Sequence, residues 1–373
     1  MKKYINLLMV FLCASLYSSA QQNDENNTAS INTKVNIDKI CADCCRKDGD
    51  VPLGVMTAHI HSKNEWMVSY VYMNMAMRGN KMGTSSASDD AVYRDYMMSP
   101  EKMNMQMHMV MLMYGITDRL TVMAMGGYAI YNMSMNMDQA GMNMMMNMPG
   151  MPATSGIPMA SNMSSKSSGI TDTKLYAMYS ISDIRKHKII GSLGVSLPTG
   201  STTANGMTLI SENGRLAYPM QIGTGSYSLL PNATYLHKGT TISWGAQAGA
   251  DIKLNDNAEG YRVGNVYNGT AWISYRFLPN LSASLRGEHV ITDKISGYDP
   301  EIAVLRNNDP NANGSNFGGQ RTSLYIGVNY SLNSTALKNL HILAEFGMPV
   351  YENLNGVQMS QRSSLLAGLQ YMF

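Results

Sequence analysis

Along most of this chain apolar and polar positions alternate with a period of two, the strand period, in which successive side chains point to opposite faces of a sheet. The clearest case is KMNMQMHMVMLM from Lys102 to Met113. Met103, Met105, Met107, Met109, Met111 and Met113 fall on one face and Asn104, Gln106, His108, Val110 and Leu112 on the other. The alternation recurs at Met73, Met75 and Met77 before it, and at Met123, Met125, Met133, Met135 and Met137 after it. Three successive strands therefore carry a methionine face.

Extended along the chain, the pattern predicts strands near 65–77, 102–114, 119–132, 170–182, 187–198, 225–237, 240–254, 264–277, 280–294, 320–332, 339–351 and 360–373. Short turns alternate with long connections at 78–101, 133–169, 199–224 and 295–319. An even count of about twelve strands, with short turns on one rim and long loops on the other, is the layout of an outer-membrane barrel. The expected fold class is all-β, an antiparallel transmembrane β-barrel over residues 64–373, with lipid against its outer face. Beyond the N-terminal apolar run, no stretch reaches the roughly 18 apolar residues of a membrane helix, so insertion has to be by strands.

The later strands indicate which face is inward. Leu281, Ala283 and Leu285 alternate with Ser282, Ser284, Arg286 and Glu288, and Ala271, Ile273, Tyr275 and Phe277 with Thr270, Ser274 and Arg276, Trp272 being an exception. A charge facing lipid at mid-depth costs about 2–4 kcal/mol. Arg276, Arg286, Glu288 and Glu345 are therefore expected to line the lumen. By the same assignment the methionines of the first three strands face inward.

Lys2 and Lys3 before an apolar run from Ile5 to Tyr17, then Ser18-Ser19-Ala20, form the pattern of a secretory signal peptide over residues 1–20. Residues 21–63 read as a periplasmic leader holding a Cys/His cluster, polar at first and then CADCC and VPLGVMTAHIHSKNEW. At the other end, Tyr371-Met372-Phe373 resembles the assembly signal of outer-membrane barrels. That resemblance implies the barrel assembly machinery as a partner through Phe373. A formal net charge of +2 and a charged fraction of 14% leave no basic patch for nucleic acid.

Several stretches resemble the family of outer-membrane transporters labelled for the phenol-degradation MetA pathway. They are PLGVMTAHIHSKNEWMVSYVYMNM (52–75), MQMHMVMLMYGITDRLTVMAM (105–125), GVSLPTG (194–200), YPMQIGTGSYSLLPNATYL (218–236) and GYRVGNVYNGTAW (260–272). The resemblance implies a barrel and a transport role. It brings no catalytic residues.

Two constellations carry candidate chemistry. Thioethers are soft ligands suited to Cu(I) or Ag(I); Met103 to Met113, Met123, Met125 and the loop methionines Met142, Met144, Met145, Met146 and Met148 could form a path for such an ion. The alternative is that methionine, flexible and polarizable, serves as apolar filler. Cys41, Cys44 and Cys45 could close a disulfide between Cys41 and Cys44 or, with His59 and His61, hold a metal. No histidine stands beside a suitable nucleophile and carboxylate, so an enzyme is not expected. The expected function is passage or capture of a small solute across the outer membrane. A soft metal ion is the first reading, with a channel for hydrophobic or aromatic molecules, or a structural barrel, as alternatives.

Overall fold

The computed structural model describes residues 50–138, 162–332 and 339–373. Eleven strand elements close a ring in chain order. They are β1 (Trp66–Gly83), β2 (Met98–Gly115), β3 (Leu120–Met137), β4 (Thr173–Ile184), β5 (His187–Leu197), β6 (Ser228–His237), β7 (Ile242–Lys253), β8 (Val266–Leu278), β9 (Leu281–Thr292), β10 (Gly319–Ser331) and β11 (Leu340–Met372). All neighbours are antiparallel, and β11 closes the ring by pairing with both β10 and β1. At the seam Trp66 and Phe373 exchange backbone hydrogen bonds of 2.9 and 3.0 Å. Two further strands of the same sheet lie outside the ring: Ser85–Ala87 folds back on β1, and Asn162–Ile170 runs along the upper part of β3; Asn205–Gly206 with Gly214–Arg215 and Tyr261–Arg262 with Ser296–Gly297 make two small ladders in the loops.

Side-chain burial follows the period of two. In β1 Trp66, Val68 and Tyr70 are exposed, whereas Met67, Ser69 and Val71 are buried. On later strands Ile189, Leu193, Ile273, Phe277, Ile326 and Val328 are exposed in the same way. An exterior of this composition suits lipid. Aromatic pairs mark its edge near the short turns: Trp66 with Tyr114 at 4.4 Å, Tyr235 with Trp244 at 5.3 Å and Tyr275 with Phe277 at 4.8 Å between ring centroids. Such aromatic rings settle where hydrocarbon meets water.

The structure corrects the sequence reading in three places. The first three strands are 18 residues each, longer than their alternating cores suggested. Their upper outward faces are polar, with Asn74, Asn104, Gln106, Asn132 and Asn136, so this side of the ring extends past the apolar band. Residues 133–137 and 162–169 are strand rather than connection, since Met135 pairs with Met163 and Met133 with Ser165. Trp272 is buried on the inward face beside Thr270 and Ser274, so it follows the strand's alternation.

Candidate functional site: a plugged lumen beneath a loop cap

The lumen is filled from the short-turn rim by residues 50–61, a stretch the sequence reading placed in the leader. Val51, Leu53, Val55, Ala58 and Ile60 are buried in one cluster with Met67, Val71, Met109, Met111, Met113 and Met123 of the barrel wall. PLGV carries no strand period; it makes a turn in which Val55 N–H donates to the Pro52 carbonyl at 3.1 Å. Polar contacts fix both limbs. Arg276 Nε donates to the Asp50 carboxylate at 3.0 Å, and Ser274 Oγ to the Asp50 carbonyl at 2.6 Å. On the return, Gln247 Nε2 donates to Thr57 Oγ1 at 2.9 Å and the His61 backbone N–H to Thr121 Oγ1 at 2.9 Å.

At the apex, Gly54 N–H donates to Glu345 Oε2. The same carboxylate receives Arg286 Nε at 3.0 Å, and both side chains are 2% exposed. Arg286 also lies 3.3 Å from Glu288 and 3.8 Å from the centre of the Tyr325 ring. Tyr325 in turn donates to Glu288 at 3.1 Å. A buried charge is tolerable only when paired and hydrogen-bonded. Glu345 and Glu288 supply the paired charge, Arg286 Nη1 makes no hydrogen bond among the described residues, and one Glu345 oxygen holds the plug.

Above the plug, the inward faces of β1 to β3 form a second cluster. Eight of its twelve buried members are methionine: Met98, Met103, Met133, Met135, Met137, Met163, Met220 and Met359. Met77, Met105 and Met107 pack against it. The connection 198–227 supplies Leu216, Met220 and Ile222 to this cluster, and its Tyr218 stands in a separate cap cluster with Tyr261, Ile302, Leu305 and Ala312. Tyr218 packs edge-on against Tyr261 at 4.9 Å and Phe317 at 5.9 Å. Burial pushes both phenols above the ordinary tyrosine value, which keeps them neutral.

Between cap and wall lies a cavity of about 490 Å³. Its lining is mostly apolar or aromatic, including Tyr131, Tyr218, Ile222, Tyr261, Phe317 and Leu354, with Gln358, Arg321, Asp251 and Lys253 among its polar groups. Lys253 Nζ donates to Asp251 at 2.6 Å and to Ser228 at 3.0 Å. Arg321 pairs with Glu352 at 3.0 Å. Lys253 and Arg321 are thus paired, while Asp293 at the wall accepts from Asn265 Nδ2 at 3.1 Å; of the rings, Tyr218 and Tyr261 are buried against each other and Phe317 is half-buried.

The remaining sequence candidates fall as follows. Met103 to Met113, Met123 and Met125 are inward, while His108 between them faces outward and meets Tyr70 Oη at 2.7 Å. His61 is buried at the base of the plug and His59 is half-buried above it. Cys41, Cys44, Cys45 and Met142, Met144, Met145, Met146 and Met148 lie outside the described residues. Among the described residues no group of three or more His, Cys, Asp or Glu could hold a metal. Sequence reasoning missed the plug and the aromatic cap. The apolar run VPLGV inside a polar leader was the available signal for the plug, and Tyr218 and Tyr261 in otherwise polar connections were the signal for the cap.

No family model and no curated protein matches the chain. The structure is similar to that of the COG4313 outer membrane channel from Pseudomonas putida F1, with a TM-score of 0.56 and 12% identity over 87% of this chain and 100% of that one. The barrel of a Pseudomonas aeruginosa FadL homologue aligns at 0.39 and 12% identity, over 82% of this chain and 89% of that one. The CymD monoaromatic hydrocarbon channel aligns at 0.39 and 11% identity, over 84% and 88%. What the first of these shares with this chain is its fold, that of an outer-membrane barrel.

Proposed function

We propose that the protein is an outer-membrane channel for small hydrophobic or aromatic solutes bearing a polar head. The observation that carries this reading is the 490 Å³ cavity faced by Tyr131, Tyr218, Tyr261 and Phe317 beneath the loop cap. Its size falls in the range of small-molecule sites, which are apolar with a few fixed polar groups. The long loops then face the cell exterior and the short turns the periplasm. A solute leaving the cavity toward the periplasm meets residues 50–61, so the plug has to shift for passage. The methionines against the plug serve as apolar wall, packed as they are with Val51, Leu53, Val55 and Ile60. In this reading β11 counts as two staves. Its 33 residues pair with β10 in the first part and β1 in the second. A ring of exclusively antiparallel neighbours closes only with an even number, here twelve.

The test is swelling of proteoliposomes in benzoate at mildly alkaline pH against a sugar of similar size, for the intact chain and for a chain lacking residues 50–60. Faster swelling in benzoate, increased by the deletion and reduced by Phe317→Ala with Tyr261→Ala, is expected. Equal rates for both solutes would overturn the reading.

A further inference from the structure

The thioether cluster above the plug shares opposed methionine pairs with the wall below, where Met111 faces Met125 and Met113 faces Met123, and differs from it in the polar neighbour that Asn311 brings. Register sets Met77 opposite Met103, Met103 opposite Met133, and Met135 opposite Met163, all inward. Directly opposed side chains on one face have Cβ atoms about 4.5–5.5 Å apart. Three rotatable bonds let each methionine swing its sulfur within that spacing. A metal–sulfur bond is on the order of 2.3 Å, so two sulfurs sharing one ion stand up to about 4.6 Å apart. Met103 and Met133 are directly opposed, and Met135, two residues on along the same face, is joined to Met133 by their common neighbour Asn311.

Asn311 from the loop cap marks the point of convergence. Its Nδ2 is 3.3 Å from the Met135 sulfur and 3.8 Å from the Met133 sulfur, in a buried position. Two sulfurs therefore already turn lone pairs toward one atom. Apolar packing alone does not ask for this, since leucine fills the same space and accepts no hydrogen bond. Two residues earlier, Asp309 is 3% exposed, and burial pushes its carboxyl up to about 6 against weaker help from Asn311. A neutral thioether shell brings no charge of its own. The cap thus places a buried acid two residues from the amide that meets the sulfurs.

We propose that Met103, Met133 and Met135 form a binding site for one soft monovalent cation, Cu(I) or Ag(I), with the Asn311 amide occupying its mouth when the ion is absent. Thioether sulfur favours such ions and is nearly indifferent to hard ones such as Mg²⁺ or Ca²⁺, which take oxygen ligands. Met103, Met133 and Met135 do not line the aromatic cavity, and the proposal does not depend on what that cavity carries.

The experiment is Ag(I) loading of the full chain in detergent, counted by elemental analysis after dialysis, with X-ray absorption at the silver edge. Two triple variants are compared: Met103→Leu/Met133→Leu/Met135→Leu, and Met109→Leu/Met111→Leu/Met113→Leu against the plug. Leucine preserves volume, and heat-modifiable gel mobility reports an intact barrel. The expected result is a sulfur shell in the wild type, one fewer ion per chain in the first variant, and no change in the second. Equal loading of wild type and first variant, or equal loss in both variants, overturns the proposal. Should the first triple not fold, Met133→Leu alone is expected to weaken Ag(I) binding at least tenfold, and unchanged affinity overturns the proposal in its place.

Discussion

At the scale of single residues, Gly54 decides whether the lumen is closed. A Cβ added there would lie 2.3 Å from an Arg286 guanidinium nitrogen and 2.8 Å from Glu345 Oε2, and both of those side chains are buried. Neither can retreat without uncovering a charge. Gly54→Val is therefore expected to expel the plug apex while leaving the strand ladder in place. Solute-driven swelling should rise several-fold with gel mobility unchanged, and a rate equal to wild type would mean that the plug is no barrier. The inward direction of Met103 to Met113 was legible because each residue's face follows from its parity along the strand. The importance of Gly54 was not, because the atoms that crowd it come from positions 286 and 345.

At the scale of elements, the break between Asn162–Ile170 and β4 is held by Asp172. Its Oδ1 accepts from Gly200 N–H at 2.9 Å, and its Oδ2 accepts from Thr224 N–H at 2.9 Å and Thr224 Oγ1 at 2.7 Å. One carboxylate thus ties both ends of the connection that carries Tyr218 and Met220. Asp172→Ala removes three charge-assisted bonds, each worth about 1.5–3 kcal/mol. Limited proteolysis should then cut within 200–224 at least tenfold faster, with the barrel core intact; equal rates would assign the anchoring to the apolar cluster instead. Strand positions were readable to within a few residues wherever one face was polar. The stretch 162–170 was hidden because NMSSKSSGI is polar on both faces of the period. It is a strand because β3 continues past the membrane band and offers it a partner.

At the scale of the whole molecule, the cap responds to pH through Asp309. Its carboxyl is pushed up to about 6 from an ordinary 3.8, chiefly by burial. The docked cap therefore binds a proton more readily than the undocked one over that interval. The sign follows from linkage: the stabilising contribution is complete below about 3.8 and is lost as pH rises through about 6. In metal-free protein, hydrogen exchange of residues 300–316 should accelerate between about pH 4 and pH 7 beyond the chemical trend. Asp309→Asn, which keeps the acceptor to the Asn311 N–H, should flatten that response. A profile that is the same in both proteins would remove Asp309 from the account.

By itself the sequence determined the alternating cores of the ring strands, their two faces and the inward placement of the methionines and charges, because each depends on neighbours one and two positions away and on the cost of exposing charge to lipid. The tertiary structure alone decided that residues 50–61 fill the lumen, that a cap of loop aromatics encloses a cavity, and that Met133 and Met135 share a polar neighbour in Asn311. Those features join residues from tens to hundreds of positions apart. No local periodicity encodes them; they follow from ring closure, which brings distant inward faces and long connections into one small volume.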